Sequence, residues 1–198
     1  PTRPERISYA VFCLKKKMRK MHLAKGNLTA FSEDKLGAMF DRDERQIHSL
    51  IRLIEDMLDV SRIRTGKLSI RPVEFDLAQT VRNVAENFAQ QMAVAGCDLQ
   101  LDSSDVLYGS WDQFRIEQVI SNLLSNALRY GAGRPIEVRA RPDEGGVRVE
   151  VRDHGIGISL ENQNRIFQQF ERAVGSESVA GLGLGLFISD QIVKAHGG

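Results

Sequence analysis

Four short stretches in the second half of the chain carry residue types able to hold a ligand. Asn122-Leu-Leu-Ser-Asn126-Ala-Leu-Arg129-Tyr130 puts two amides four residues apart, on one face if the segment is helical. Two asparagines are unfavourable inside a helix on propensity alone, which argues for a role beyond structure. Asp153-His-Gly155-Ile-Gly157-Ile158 sets a carboxylate ahead of two glycines. A carboxylate accepts strongly from amino groups, and glycine lets the backbone approach a ligand closely. Ile166-Phe167-Gln-Gln-Phe170-Glu-Arg172 reads as a helix pairing two aromatics with an arginine. Gly181-Leu182-Gly183-Leu184-Gly185-Leu186 leads into a further helical segment, whose free N–H groups and dipole attract anions. Singly these are weak signals: Asp153 reads as a turn residue, Arg129 as a solvated charge, and Phe167 and Phe170 as packing.

The surrounding pattern says what must position them. Asp112 starts the asparagine helix. Ile136, Val138 and Ala140 alternate with polar residues, as do Val147, Val149 and Val151, and Asp143-Glu-Gly145-Gly146 makes the turn between them. This is a β-hairpin with one buried face, and Asp153 falls at its end. Asp76 caps an earlier helix whose apolar face is Leu77, Val81, Val84 and Phe88. Strands are expected around Leu68 to Phe75, Leu99 to Leu101 and Val106 to Tyr108, and a last helix from about Gly183 to Ala195. The segment between Phe170 and Gly181 lacks periodicity and reads as a lid. Mixed strands with helices on one face make an α/β sandwich.

Residues 1–63 read as helix, turn, helix. Ile7, Val11, Leu14, Met18 and Met21 form one apolar seam, Gly26-Asn27 a stop, and Ser32 the next cap. Leu36, Phe40, Ile47, Leu50, Ile54 and Met57 continue a heptad, interrupted by Asp43. The second helix would run to about Arg62, roughly 45 Å at 1.5 Å per residue. Two such helices bury little, so a four-helix homodimer is expected. The whole is an α+β chain: a helical-hairpin dimerisation domain over 1–63, a linker with the first strand over 64–76, and the sandwich over 77–198.

Of the 198 residues 42% are hydrophobic and 27% charged, with a net charge of +1. That balance gives no electrostatic case for nucleic-acid binding. Cys13 and Cys97 match no disulfide or metal spacing, which fits a reducing, cytoplasmic compartment. No apolar run reaches the ~20 residues needed to cross a bilayer. Ile7 to Leu14, ahead of Lys15-Lys16-Lys17, reads as a helix face with a basic patch. Membrane attachment is therefore expected only through segments outside this chain.

The four motifs in this order, after a helical segment ending Leu58-Asp59-Val60-Ser61-Arg62, resemble the ATP-binding domain of sensor histidine kinases. That domain belongs to the group that includes gyrase, heat-shock chaperone and mismatch-repair ATPases. The likeness covers nearly the whole chain. It implies ATP and Mg²⁺ as cofactors, phosphoryl transfer to a histidine and then to a response regulator, and Asn126 as the magnesium ligand. Asn122 would line the phosphates, Arg129 and Tyr130 the phosphates and ribose, and Asp153 would accept the adenine amine through a buried charge-assisted bond, with Gly155 and Gly157 beside the base. Gly181, Leu182, Gly183, Leu184 and Gly185 would meet the triphosphate, with Arg172 near the γ-phosphate. The family usually adds another strand pair after a Gly-Gly such as Gly197-Gly198; without it an unpaired sheet edge is expected.

The phosphoacceptor departs from the pattern. The family string is roughly His-Glu-Leu-Arg-Thr-Pro-Leu, and no such string occurs. By local likeness, His22-Leu-Ala-Lys-Gly-Asn-Leu keeps a histidine but lacks the acid and the proline. By spacing back from Asp59, the position falls near Ser8-Tyr9-Ala10, with Tyr9 for the histidine. A phenol is almost entirely protonated at neutral pH and is the poorer nucleophile. The alternative is a degenerate kinase that binds nucleotide as a regulatory scaffold.

Overall fold

The computed structural model describes residues 33–104, 106–131, 133–171 and 182–198. The expected first helix, the Ser32 cap, Tyr9, His22, Arg172, Gly181 and most of the lid segment lie outside these residues. Chain contacts divide the protein into two compact units, residues 1–52 and 53–198. In the first unit the described residues are helical. They begin α1 (Glu33–Arg64), a 32-residue helix whose last turn carries Arg62 and Arg64. Basic side chains there complement the negative end of the helix dipole.

The second unit holds the rest of α1 and every other described element: β1 (Val73–Asp76), α2 (Leu77–Val94), β2 (Leu99–Ser103), β3 (Tyr108–Trp111), α3 (Gln113–Tyr130), β4 (Ile136–Asp143), β5 (Gly146–Asp153), the short α4 (Leu160–Gln163) and α5 (Gly185–Ala195). The two long sheet-facing helices start where the sequence expects. Asp76 caps α2 by accepting from the Ala78 N–H, and Asp112 caps α3 by accepting from the Arg115 N–H. β4 and β5 form the expected antiparallel hairpin, with Asp143 opposite Gly146 and Ile136 opposite Asp153. β2 joins β4 in parallel, so the three-stranded sheet is mixed, in the order β2-β4-β5. β1 and β3 pair separately as an antiparallel ribbon.

Three expected elements shift. The first strand is Val73–Asp76, not Leu68 to Phe75. Leu68 instead packs into an apolar cluster with Val60 and Ile188, and the Arg71 N–H donates to the Asp112 carboxylate, so this stretch joins no ladder. The third strand starts at Tyr108, not Val106. The backbone of buried Leu107 is already engaged, its N–H donating to the Asp76 carboxylate and its carbonyl accepting from Leu77. The helix expected over Ile166 to Arg172 does not form: α4 ends at Gln163 and turns follow to Phe170. Phe170 has φ +64°, uncommon for a side-chain-bearing residue, and its N–H donates to the Gly183 carbonyl. That long-range bond outweighs a helical pattern only a few residues long.

Two apolar clusters hold the unit. The larger sets Leu77, Val81, Val84 and Met92 of α2 and Ile120, Leu124 and Ala127 of α3 against Ile136, Val138 and Ala140 of β4. The smaller joins Val60 near the end of α1 to Val119 of α3 and to Leu184, Ile188 and Ile192 around α5. α3 thus serves both, one face to the sheet and another to α5. No described helix is long and apolar enough to cross a membrane.

Candidate nucleotide site

α3 organises the candidate site. Near its start, Arg115 is buried and its Nη1 donates to the equally buried Asp59 carboxylate at 2.7 Å. Two turns on, the Asn122 side-chain amide donates to the Gly185 carbonyl at 3.3 Å and lies 3.4 Å from the Ser189 hydroxyl. This asparagine ties α3 to the first turn of α5, so it is structural whatever else it contacts. Asn126, one turn later, is half-buried, and its amide has no hydrogen-bond partner among the described residues. At the helix end, the Tyr130 carbonyl accepts from Ile156 at 3.3 Å. From Asn122 to Tyr130 the axis rises about 12 Å, a length comparable to that of a nucleotide.

The turn after β5 is pressed against that helix end. A Cβ on Gly155 would stand 1.8 Å from the Tyr130 carbonyl oxygen, so no larger residue fits there without moving backbone. Asp153 shapes the turn by accepting from the Gly155 N–H through Oδ1 at 2.9 Å. Its other oxygen has no partner among the described residues. The carboxylate is exposed, not buried as expected: Asp153 is the last residue of β5, opposite Ile136 at the end of the ladder. His154 is held at both ends: its carbonyl accepts from Arg134 at 2.8 Å, and its Nε2 lies 3.0 Å from Glu137 on β4.

The glycine run meets the same helix from the other side. α5 begins at Gly185, two residues later than expected, because Gly183 has φ +69° and cannot be helical. A Cβ on Gly183 would lie 2.7 Å from the Glu171 carbonyl oxygen, a second place where only glycine fits. Leu184 is the N-cap and offers no side-chain acceptor, and the first turn of α5 has no acidic residue. Its leading N–H groups are therefore available to an anion. Leu182 is exposed, while Leu184 is buried in the smaller cluster. A leucine on either side of Gly183 thus faces opposite surroundings.

Of the remaining expected residues, Arg129 is exposed on the last turn of α3 and Tyr130 is half-buried. Phe167 and Phe170 are exposed rather than core. Sequence reasoning missed three supports of the site. Glu137 and Arg134 brace His154, and His196 reaches back so that its Nε2 accepts from the Asp112 N–H at 3.0 Å. The strand register, with Glu137 opposite Arg152, held the signal for the first.

Residues 111–198 match the family model described as histidine kinase-, DNA gyrase B-, and HSP90-like ATPase. This segment is similar to the ATPase domains of that family. Asn122, Asn126, Tyr130, Asp153, Gly155 and Gly183 all lie within it. Over a longer stretch the chain is similar to the signal transduction histidine-protein kinase BarA of Escherichia coli (strain K12), 34% identical over 185 residues, covering 88% of this chain and 20% of BarA. It is also similar to the catalytic domain of histidine kinase ThkA, 28% identical with a TM-score of 0.57, covering 63% of this chain and 81% of that one. The Acinetobacter baumannii histidine kinase AdeS shares the fold, with a TM-score of 0.66 at 24% identity over 90% of this chain and 81% of its own. The chain spans about a fifth of the length of BarA.

Proposed function

We propose that this chain is the cytoplasmic catalytic core of a sensor histidine kinase. In this reading it binds Mg-ATP, pairs as a homodimer through the helical hairpin, and passes phosphate to a histidine and then to a response-regulator receiver domain. The observation that supports it best is that one helix, α3, contacts both halves of the ATPase-domain site: Asn122 meets the start of α5, and Tyr130 meets the Asp153–Gly157 turn. Asp153 accepts the adenine amine, where guanine would present a carbonyl. The N–H groups before and within the first turn of α5 hold the phosphates, with Arg129 and Arg172 supplying positive charge. Asn126 offers one neutral oxygen with no partner among the described residues, a donor set that fits Mg²⁺, which takes few protein ligands and keeps water and phosphate oxygens. When bound, the ion neutralises phosphate charge.

Asp153→Asn tests the site. The variant replaces a carboxylate by an amide and weakens a charge-assisted bond worth roughly 1.5–3 kcal/mol. Titration with a fluorescent ATP analogue at fixed salt should show affinity falling by at least tenfold. Unchanged affinity would remove the adenine assignment.

A second reading is favoured by one specific observation. None of the four histidines, His22, His48, His154 and His196, is followed by an acidic residue. A chain that binds nucleotide but offers no activated acceptor would act as a regulatory scaffold.

A further inference from the structure

The residue between Asp153 and Gly155 is braced more heavily than a turn residue needs. The β4 carboxylate of Glu137 lies 3.0 Å from His154 Nε2 through Oε1, and its Oε2 accepts from Arg139 at 2.7 Å. Arg134, in the loop after α3, donates to the His154 carbonyl at 2.8 Å. The backbone of His154 is thus tied to one element and its ring to another. The next residue is Gly155, packed so closely on Tyr130 that a Cβ there would strike its carbonyl oxygen. Asp153, on the other side, accepts from the Gly155 N–H and so moves with the turn.

We propose that Glu137 is a positioning residue for adenine recognition: through His154 it holds the Asp153–Gly157 turn, and a proton on the imidazole tightens that hold. This rests on the nucleotide reading above. The charges around the ring decide the sign. Glu137 is the group in contact with it. Arg139 is committed to the second carboxylate oxygen, Arg134 binds the carbonyl rather than the ring, and Arg152 lies opposite Glu137 in the strand register. Asp153 adds a further negative charge from the neighbouring residue. The His154 bond holds the Glu137 carboxyl below its ordinary range; burial opposes this, and Arg139 and Arg152 add to the lowering. Glu137 therefore stays ionised across the range in which a histidine ring ordinarily changes charge. With a proton on the ring, the hydrogen bond between a neutral imidazole and the carboxylate becomes an ion pair, and the turn is held more firmly.

The test compares the whole chain with Glu137→Gln, His154→Asn and, as a control, Asp143→Asn, which loses the Arg148 ion pair at the far end of the same hairpin. Affinity for a fluorescent ADP analogue is measured from pH 6 to 8 at constant ionic strength and Mg²⁺. Titration of the nucleotide's own phosphates is common to all four proteins and cancels in their ratios. The wild-type chain should bind roughly threefold more tightly than Glu137→Gln at pH 6, the size of an exposed ion pair, and about equally at pH 8. His154→Asn should show the same convergence, and Asp143→Asn should follow wild type throughout. A Glu137→Gln deficit that is the same at every pH would mean a plain structural contact and would overturn the proposal. Hydrogen exchange at Gly155 to Gly157 without nucleotide gives a second readout, corrected for the intrinsic pH dependence of exchange. Protection should rise toward pH 6 in wild type and not in Glu137→Gln. That pattern in a chain that binds no nucleotide would overturn the proposed function and leave the brace standing. Absence of the pattern overturns the brace, whatever the nucleotide does.

Discussion

Removing the Asp59 carboxylate should cost the second unit about 3 kcal/mol of stability, because it strands a buried charge. Asp59 is 3% exposed and Arg115 8%. Asp59 Oδ2 accepts from Arg115 Nη1 at 2.7 Å and from Gln118 Nε2 at 2.8 Å, while Oδ1 accepts from Arg62 Nη1 at 3.1 Å. The Arg62 bond is half in solvent and contributes under about 1 kcal/mol. The main effect comes from Arg115, which in Asp59→Ala keeps only the Gln118 side-chain oxygen, at 2.8 Å. A loss of this size lowers the thermal midpoint of a unit this large by on the order of 10 °C. The paired change Asp59→Leu with Arg115→Met removes both charges and should recover most of the loss. The pH dependence has a definite sign. Burial pushes the Asp59 carboxyl up, but the bonds from Arg115, Gln118 and Arg62 together outweigh it and hold the group below its ordinary value of 3.8. The contribution is then complete above pH 3.8 and fades as pH falls through the lower folded-state value. Urea unfolding followed by the fluorescence of Trp111, which packs edge-on against Phe75, measures both effects. A cost below about 1 kcal/mol at pH 7, or an undiminished cost near pH 3, would refute the reasoning.

Two further outcomes are expected. Leu50, Ile54 and Met57 of α1 are 59%, 52% and 58% exposed, so Leu50→Glu with Ile54→Glu should turn a dimer into monomers in sedimentation at tens of micromolar, and a parent chain already monomeric there would contradict pairing through the hairpin. Under the scaffold reading autophosphorylation with labelled ATP should be weak or absent; acid-labile label lost in His22→Ala would favour the histidine kinase instead, and acid-stable label lost in Tyr9→Phe would make Tyr9 the acceptor.

Local signals in the sequence carried most of the fold. Ile136, Val138 and Ala140 alternate strictly, and they are the buried face of β4. Asp76 and Asp112 cap their helices because a short carboxylate beside a helix start has few better partners than the orphan N–H groups. The glycines of the site were legible for the same reason: Gly155 and Gly183 sit where a Cβ would strike backbone. What failed to show was decided at long range. Ile166 to Arg172 had helical spacing, yet the bond from Phe170 to Gly183 fixed a turn. Asp59 and Arg115 are 56 residues apart, and nothing in either local pattern announces their pairing. Glu137 looked like a solvent-facing strand residue until the register placed it beside the end of β5.

The parts of the site that bind and the part that would accept phosphate differ in how the chain supports them. α3 is tied at three heights: at Arg115 to Asp59, at Asn122 to Gly185, and at Tyr130 to Ile156. Each tie reaches a different element, so the asparagine face, the start of α5 and the Asp153 turn are fixed relative to one another before any ligand arrives. Such preorganisation lowers the ordering cost of binding, and it involves no residue before Asp59. An acceptor has no share in it. A nucleophile must be activated where it stands, by a neighbouring acid or base, and both Tyr9 and His22 lie in the hairpin sequence, next to alanine and leucine. Substitutions there can therefore remove phosphoryl transfer while leaving every contact of the nucleotide site in place. Affinity for ATP and the chemistry of the labelled product are for this reason independent measurements, and the second distinguishes a kinase from a scaffold.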